Sequence, residues 1–220
     1  AATLEAAAAW RDGALKVERF DYATAWLKAH GNGAWTNATG AIEAKLALTC
    51  ADLAPAGKAL SHDLAGTLEA NLSAKGTFDN LDVVCTADAK KLRVDAASAD
   101  LAHAEAKLDN VLAEPKGAIK LRVEARGKKL DAESAVQRDG AEWRFTKTHL
   151  KAGGNKADGD AAFNPKTNGA RGKFTLALDD LAADGRHRNV VVFRLDEVEA
   201  DDPRRSASLQ GAGLRRRAGQ

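Results

Sequence analysis

The chain repeats one pattern of short alternating strands, and this repeat constrains the fold more than any other feature. One copy covers residues 130–182 and the other covers residues 3–54. Each copy begins near an Arg-Asp-Gly turn, at residues 11–13 and 138–140, and each ends on Asp-Leu-Ala. Self-similarity of this kind is typical of stacked repeat architectures, in which each unit buries its apolar surface against its neighbours.

The spacing between the two copies is nearly constant. The Arg-Asp-Gly turns lie 127 positions apart and the apolar positions that follow lie 128 positions apart, so the alignment needs one inserted residue after the turn. The aligned positions are the pairs Leu15–Trp143, Val17–Phe145, Gly31–Gly159, Trp35–Phe163, Leu46–Phe174, Leu48–Leu176 and Cys50–Leu178. Agreement of turns and apolar phase over roughly forty positions indicates a true repeat of β units.

Most segments alternate apolar and polar residues with a period of two, which predicts antiparallel strands with one apolar face. The clearest example is residues 119–126, in which Ile, Leu, Val and Ala alternate with Lys, Arg and Glu. Such a sheet must bury its apolar face, either against itself as a sandwich or solenoid or against a ligand in an open half-barrel. Hydrophobic residues make up 45% of the chain but aromatic residues only 5%. Because alanine fills much less volume than the larger apolar residues, we expect an elongated sheet curled into a groove.

Three segments depart from this pattern. Residues 52–63 predict a short helical insert, since Asp52 can cap a helix and Pro55 suits its first turn. Residues 98–114 fit either an amphipathic helix or a strand, and the surrounding strands favour β. Residues 199–220 are rich in arginine and turn residues, which predicts a disordered tail after a groove region at residues 1–198.

The sequence contains no pattern that indicates a catalytic or metal site. The five histidines have no metal-ligand spacing, and neighbours such as Ser61-His62-Asp63 cannot form a catalytic triad. The acidic residues Asp158, Asp160 and Asp179-Asp180 could hold a cation or act as paired carboxylates, but turn and capping roles are favoured. We therefore predict no catalytic residues, no metal and no cofactor.

Charge and cysteine content limit the function further. A net charge of +2 with 29% charged residues means that basic side chains are matched by acidic ones, which argues against a nucleic-acid partner. The arginines of the tail could contact anionic lipid, although a plain solubilising tail is favoured. Cys50 and Cys85 could form one disulfide, but both occupy apolar strand positions, so free buried thiols are favoured.

Two phrases of the sequence resemble a known family. The run from Asp52 to Gly66, DLAPAGKALSHDLAG, and the alternating strands that follow it are similar to the repeating unit of TamB and other AsmA-like proteins. The phrase RDGAEWRFTKTHLKAGGNKADGDAAFNP, residues 138–165, resembles the strand–turn–strand unit of the same family. The chain is far shorter than a whole member, has no N-terminal anchor helix, and its arginine-rich end fits no family phrase. We therefore interpret it as a segment of a longer protein.

The resemblance implies a periplasmic protein of a Gram-negative bacterium that is anchored in the inner membrane through a segment absent here. It implies a β-taco groove that conducts phospholipid toward the outer membrane or supports outer-membrane protein assembly as part of a translocation and assembly module. The implied partners are phospholipid acyl chains, an outer-membrane barrel protein and neighbouring repeats of a longer chain. The alternative is a structural or adhesive β-repeat module with a self-packed core and no ligand.

The alternation of apolar and polar residues assigns the residues that would line such a groove. Each lies on the apolar face of its predicted strand. The expected lining residues are Leu68, Leu72, Leu81, Val83, Ile119, Leu121, Val123, Trp143, Phe145, Phe163, Phe174, Leu176 and Leu178.

Overall fold

A computed structural model of the chain describes residues 2–167, 169–178 and 189–198, and for Leu178 and residues 189–198 it describes the backbone only. These residues form thirteen β-strands and one short α-helix, which confirms the predicted all-β class, its antiparallel sheet and the helical insert. The expected tail at 199–220 lies outside the described residues, as do Asp179-Asp180 and His187.

The chain divides into two compact units, residues 1–129 and 130–220. The first contains β1 (Thr3–Arg11), β2 (Ala14–Ala23), β3 (Leu27–Thr36), β4 (Ala41–Cys50), α1 (Ala54–Leu60), β5 (Leu64–Gly76), β6 (Leu81–Val94), β7 (Ala97–Asp109) and β8 (Lys116–Ala125). The second contains nearly all of β9 (Lys128–Asp139), and β10 (Glu142–Ala152), β11 (Asn155–Asn164), β12 (Gly169–Leu178) and β13 (Asn189–Val198).

Within each unit every strand pairs in antiparallel fashion with the next strand along the chain. The connections are mostly short turns, as in Asp12-Gly13, where both residues have positive φ angles of 49° and 74°. Such turns match the natural twist of two paired strands. The ambiguous segment 98–114 is mainly strand β7, so the interpretation favoured from the sequence is confirmed.

The helix α1 connects β4 to β5 and lies against β5. Pro55 occupies its first turn, and the carboxylate of Asp52 accepts the N–H of Ala54 at 2.9 Å. The N-cap residue itself is Leu53, one position after the Asp52 expected from the sequence. The helix ends at Leu60, and its C-cap residue Ser61 has a left-handed φ of 59°. A proline at the start and a left-handed residue at the end restrict the helix to seven residues.

The same strand irregularity occurs in both units. In the first unit Val17 pairs with Gly33 but Phe20 pairs with Gly31, so β2 carries an extra residue relative to β3. The pairs found 128 positions later, with the same irregularity, are Phe145 with Ala161 and Thr148 with Gly159. The extra residue after Val17 is therefore a β-bulge, a feature that increases the local twist.

The register also changes the alignment of the two turns. Arg11 pairs with Ala14 across the first turn, and Asp139 pairs with Glu142 across the other. These positions are again 128 residues apart, so the structure needs no inserted residue. The 127-residue offset expected at the Arg-Asp-Gly turns was wrong. The structural equivalent of Arg11 is Asp139, so the two Arg-Asp-Gly sequences occupy positions that differ by one residue in the strand pairing.

A glycine faces a large apolar residue at the same place in both units. Gly31 pairs with Leu46 and Gly159 pairs with Phe174, and the two pairs are again 128 positions apart. A Cβ added to Gly159 would lie 2.1 Å from the carbonyl oxygen of Lys173 and 2.7 Å from the Phe174 ring. These glycines therefore provide the space that their bulky partners occupy.

The described residues enclose very little core. The buried apolar residues are Ala29, Cys50, Leu53, Ala89, Val136 and Ala157, and no large side chain among the described residues is completely buried. Cys50 and Cys85 are both free thiols, as expected, but only Cys50 is buried whereas Cys85 is partly exposed. Strand pairing rather than a closed core must therefore supply much of the cohesion of each unit.

We expect Gly159→Ala to destabilise the second unit by about 1–3 kcal/mol, because overpacking against fixed backbone costs energy of this size. Gly31→Ala should cost less, since the corresponding Cβ would lie 2.5 Å from the Lys45 carbonyl oxygen. Urea unfolding of both variants, followed by tryptophan fluorescence, checks the order. Equal stability of Gly159→Ala and the parent chain would contradict the steric role of this glycine.

Candidate functional site

Strand register places the expected lining residues of the first unit on one face, which we call the apolar face. Leu68 shares a row of paired residues with Ala89, Ala102 and Val123. The other expected residues reach the same face through their own rows. Leu72 and Ile119 lie in the row that also contains Cys85 and Ala106. Val83 pairs with Ala74, Leu81 pairs with Gly76, and Leu121 pairs with Ala104.

Small residues form the middle of this face. Ala70, Ala87 and Ala104 are direct partners on β5, β6 and β7, and the row ends on Leu121 of β8. The row on one side adds Ala89 and its partner Ala102, and the row on the other side adds Ala106. We call these six residues the alanine floor. Larger apolar residues surround it, namely Leu48, Leu68, Leu72, Leu108, Ile119, Leu121 and Val123.

The second unit has an apolar face of its own. Trp143 pairs with Phe163, and Phe145 pairs with Ala161, so both aromatic residues of β10 share a face with β11. Phe174 and Leu176 of β12 lie on the same face, because they pair with Gly159 and Ala157 of β11. Leu178 follows two positions later on β12, and its side chain lies outside the described residues.

Several apolar side chains are accessible to solvent. Among the expected lining residues Leu72 and Leu121 are each 36% exposed and Phe163 is 39% exposed. An apolar patch that remains accessible to solvent commonly marks an interaction or ligand site. Val84 and Leu101 are also exposed, but their pairing with Ser73 and Glu124 places them on the opposite face.

The sequence-based lining residues did not include an aromatic cluster at one end of the first unit. Trp10 and Trp35 lie with ring centroids 5.8 Å apart, and Phe78 contacts Trp35 at 6.5 Å. Trp10 and Phe78 are more than half exposed. Phe78 belongs to the turn between β5 and β6, so no strand periodicity could have placed it beside the two tryptophans.

The opposite face of the sheet, the polar face, carries ion pairs. His103 contacts Asp88 through Nδ1 at 2.7 Å and Glu105 through Nε2 at 3.0 Å. These hydrogen bonds, the Glu105 bond first, raise the pKa of His103 above its ordinary value. The same bond lowers the pKa of Glu105.

A second cluster of charges lies in the other unit. The carboxylate of Glu142 accepts from Arg144 at 2.8 Å and from Arg171 at 2.7 Å, and Asp139 also pairs with Arg144. Hydrogen bonds from Arg144 and then Arg171 lower the pKa of Glu142. Because the two arginines and Asp139 are solvent-exposed and Glu142 is only partly buried, each pair contributes little to stability by itself.

Histidine and aspartate face each other at the same place in both repeat copies, but in opposite order. Asp21 on β2 pairs with His30 on β3. At the positions 128 residues later, His149 on β10 pairs with Asp158 on β11, with Nδ1 2.5 Å from the carboxylate oxygen. The repeat therefore retains the pair of residue types while exchanging the strands that carry them.

A cavity of about 370 Å³ lies on the first unit and is formed mainly by the polar face. Two adjacent rows of paired residues on β3 to β6 supply most of its lining. Its lining residues are His30, Gly31, Asn32, Lys45, Leu46, Ala47, Asn71, Leu72, Ser73, Val84 and Thr86. Leu72 alone belongs to the expected lining set, so this concavity is distinct from the alanine floor.

Catalytic geometry is not found around the candidate residues. The His62 ring bonds to Asp95 at 3.0 Å, while the Asp63 carboxylate accepts from Arg93 at 2.8 Å, so Asp63 does not orient the His62 ring. Asp158 pairs with His149, and Asp160 accepts the backbone N–H of Lys147 at 2.9 Å. Within the described part of the chain, no group of three His, Cys, Asp or Glu side chains could hold a metal ion.

Comparisons of the chain with protein-family models, curated proteins and solved structures find no match. The resemblance to TamB and AsmA-like proteins therefore stays a prediction. Within the residues described, none of the helical structure has the length and apolar character that crossing a membrane requires.

The contacts of His103 predict a pH dependence. A histidine whose folded pKa is raised stabilises the fold fully below its ordinary pKa of 6.5, and this contribution is lost as pH rises through the raised value. We expect NMR titration to give His103 a pKa above 6.5 in the parent chain. Glu105→Gln should lower that pKa more than Asp88→Asn. An unchanged His103 pKa in both variants would contradict the observed contacts.

Proposed function

We propose that this chain is a segment of a TamB-like or AsmA-like protein that conducts phospholipid between the inner and outer membranes of a Gram-negative bacterium. In this proposal the segment lies in the periplasm, is held to the inner membrane by a part of the protein outside this sequence, and contacts further repeats of the same chain. Support of outer-membrane protein assembly, with a barrel protein as partner, belongs to the same proposal.

The apolar face of the first unit supports this proposal most directly. Its alanine floor is bordered by branched apolar residues, and two of these, Leu72 and Leu121, keep more than a third of their surface in contact with solvent. An acyl chain placed there would gain roughly 0.8 kcal/mol for each CH₂ group removed from water. No catalytic step is needed, because movement along the face requires only similar contacts at successive rows.

The polar face explains how a sheet that binds acyl chains could remain hydrated. Lys120, Arg122 and Glu124 alternate along β8 with the apolar residues that border the floor. Charged side chains on one face and apolar side chains on the other would let the sheet remain hydrated while it holds acyl chains.

The alternative function, a structural or adhesive module without a ligand, requires the apolar faces to be covered by protein. Within each unit, α1 is the one described element other than a neighbouring strand that packs closely against the sheet, and it contacts β5; none of the large described side chains is completely buried. A lipid-binding role explains an accessible apolar face better than a self-packed module does.

Photo-crosslinking tests the proposal in the full chain. A benzophenone amino acid placed at Leu121 or Trp143 should capture phospholipid from vesicles of phosphatidylethanolamine and phosphatidylglycerol. The same group at Arg122, the neighbour of Leu121 on the polar face, should capture little. Mass spectrometry of the adducts gives the readout. Equal capture at Leu121 and Arg122, or capture at Arg122 alone, would overturn the proposal.

Filling the alanine floor gives a second test. Ala104→Phe should reduce lipid capture at Leu121 roughly tenfold, since the ring would replace contacts equal to about two CH₂ groups. Ala118→Phe is the matched control, because Ala118 pairs with Lys107 on the polar face. Circular dichroism verifies that both variants fold. A folded Ala104→Phe variant with parental lipid capture would exclude the alanine floor as the binding surface.

A further inference from the structure

The cavity on the polar face of the first unit is separate from the surface assigned to acyl chains. Its volume of about 370 Å³ is large enough for a small ligand, since natural ligand pockets begin at roughly 300 Å³. Its polar lining side chains lie on the polar face, so the backbone of the sheet separates the cavity from the alanine floor. A ligand in this cavity would therefore not compete with an acyl chain on the apolar face.

Polar side chains from four neighbouring strands converge on this cavity. Asn32 faces Lys45, and Lys45 faces Ser73, across adjacent strands of one row. Amide, hydroxyl, imidazole and ammonium groups are all present, and each can donate hydrogen bonds to a ligand. The polar lining residues are His30, Asn32, Lys45, Asn71, Ser73 and Thr86.

The charge of the lining is positive and uncompensated. Among the described residues that line the cavity, Lys45 alone carries a permanent charge and none is acidic. Within the same described part of the chain, the Lys45 ammonium has no ion-pair or hydrogen-bond partner. Asp21 and Glu105 continue one row of the lining on either side, but they bond to Arg19 and His103. The lining thus favours an anionic ligand.

The second repeat copy differs from the first at this place. In positions 128 residues later, Asp160 corresponds to Asn32 and Lys173 corresponds to Lys45, and the two later residues again face each other. The lysine of the second copy therefore has a carboxylate directly across the strand pair, whereas Lys45 has a neutral amide. An amide in place of the carboxylate leaves the charge of Lys45 available to a ligand.

We propose that this cavity binds a phosphorylated polyol, which is a phosphate ester that carries free hydroxyl groups. Lys45 supplies the compact charge with which lysine recognises phosphate. The amides of Asn32 and Asn71 donate to the remaining phosphate oxygens, and the hydroxyl groups of Ser73 and Thr86 bond to hydroxyl groups of the ligand. The site goes beyond lipid conduction and does not depend on it, because it lies on the opposite face of the sheet.

Titration of the full chain with glucose 6-phosphate, followed by NMR of the backbone amides, tests the site. The amide shifts should be confined to the residues of β3, β4, β5 and β6 that line the cavity. Glucose should bind roughly tenfold more weakly, because it lacks the group that forms charge-assisted hydrogen bonds. Equal binding of glucose and glucose 6-phosphate, or shifts centred outside the cavity, would overturn the proposal.

Two substitutions remove the charge that the ligand requires. Asn32→Asp introduces the carboxylate of the second copy and should weaken glucose 6-phosphate binding roughly tenfold, because it pairs with Lys45 and repels phosphate. Lys45→Gln should weaken binding by a similar factor. Lys75→Gln is the matched control, since Lys75 lies on the same face outside the lining, where it faces Glu43.

The control variant should bind glucose 6-phosphate as the parent chain does, and circular dichroism verifies that all three variants fold. Parental binding by a folded Asn32→Asp variant, or equal losses in Lys45→Gln and Lys75→Gln, would contradict a site centred on Lys45.

Vesicles distinguish two sources of the ligand, because the headgroup of phosphatidylglycerol is itself a phosphorylated polyol. Displacement of glucose 6-phosphate by phosphatidylglycerol vesicles, but not by phosphatidylcholine vesicles, assigns the ligand to a lipid headgroup. Retention of glucose 6-phosphate with both kinds of vesicle assigns it to a soluble sugar phosphate. Both results support a phosphorylated polyol as the ligand of this cavity.

Discussion

Backbone hydrogen bonding between neighbouring antiparallel strands is the interaction on which this protein depends. Each described unit is essentially one layer of sheet. Burial of apolar side chains in a common core, which stabilises most folds, therefore contributes little here. Val136 and Ala157 are buried, but most larger side chains on the same faces remain partly exposed. Strand pairing must then be regular along its whole length, and this requirement explains why turns, bulges and glycines recur so strictly.

Strict pairing also separates the chemistry of the two faces. A shift of one residue would move every apolar side chain to the polar face, because the side-chain period is two. The bulge after Val17 and the space at Gly31 fix the register in the first unit, and their counterparts do so in the second. The accessible apolar surface and the ion pairs behind it therefore follow from the same pairing.

Periodicity in the sequence was sufficient to predict the all-β class and the residues that share the apolar face, and the helix-start signals at Asp52 and Pro55 predicted the short helix. It could not supply facts that depend on which residues become neighbours across strands. The partners of His103, the bulge at β2 and the position of Phe78 in a turn all required the register. The offset at the Arg-Asp-Gly turn was wrong because local sequence similarity does not determine which residues pair across the strands.

The reversed histidine–aspartate pair bears on how such a chain folds without confusing its two copies. Strands of nearly identical register could exchange partners during folding, and β2 could then pair with β11 in place of β3. That exchange would set Asp21 against Asp158, while the complementary pairing of β10 with β3 would set His149 against His30. Two carboxylates directly opposite each other are unfavourable in a sheet, and each histidine would lose the aspartate that faces it. Reversing one pair of residues thus gives each copy a means of distinguishing its own strands from those of its duplicate.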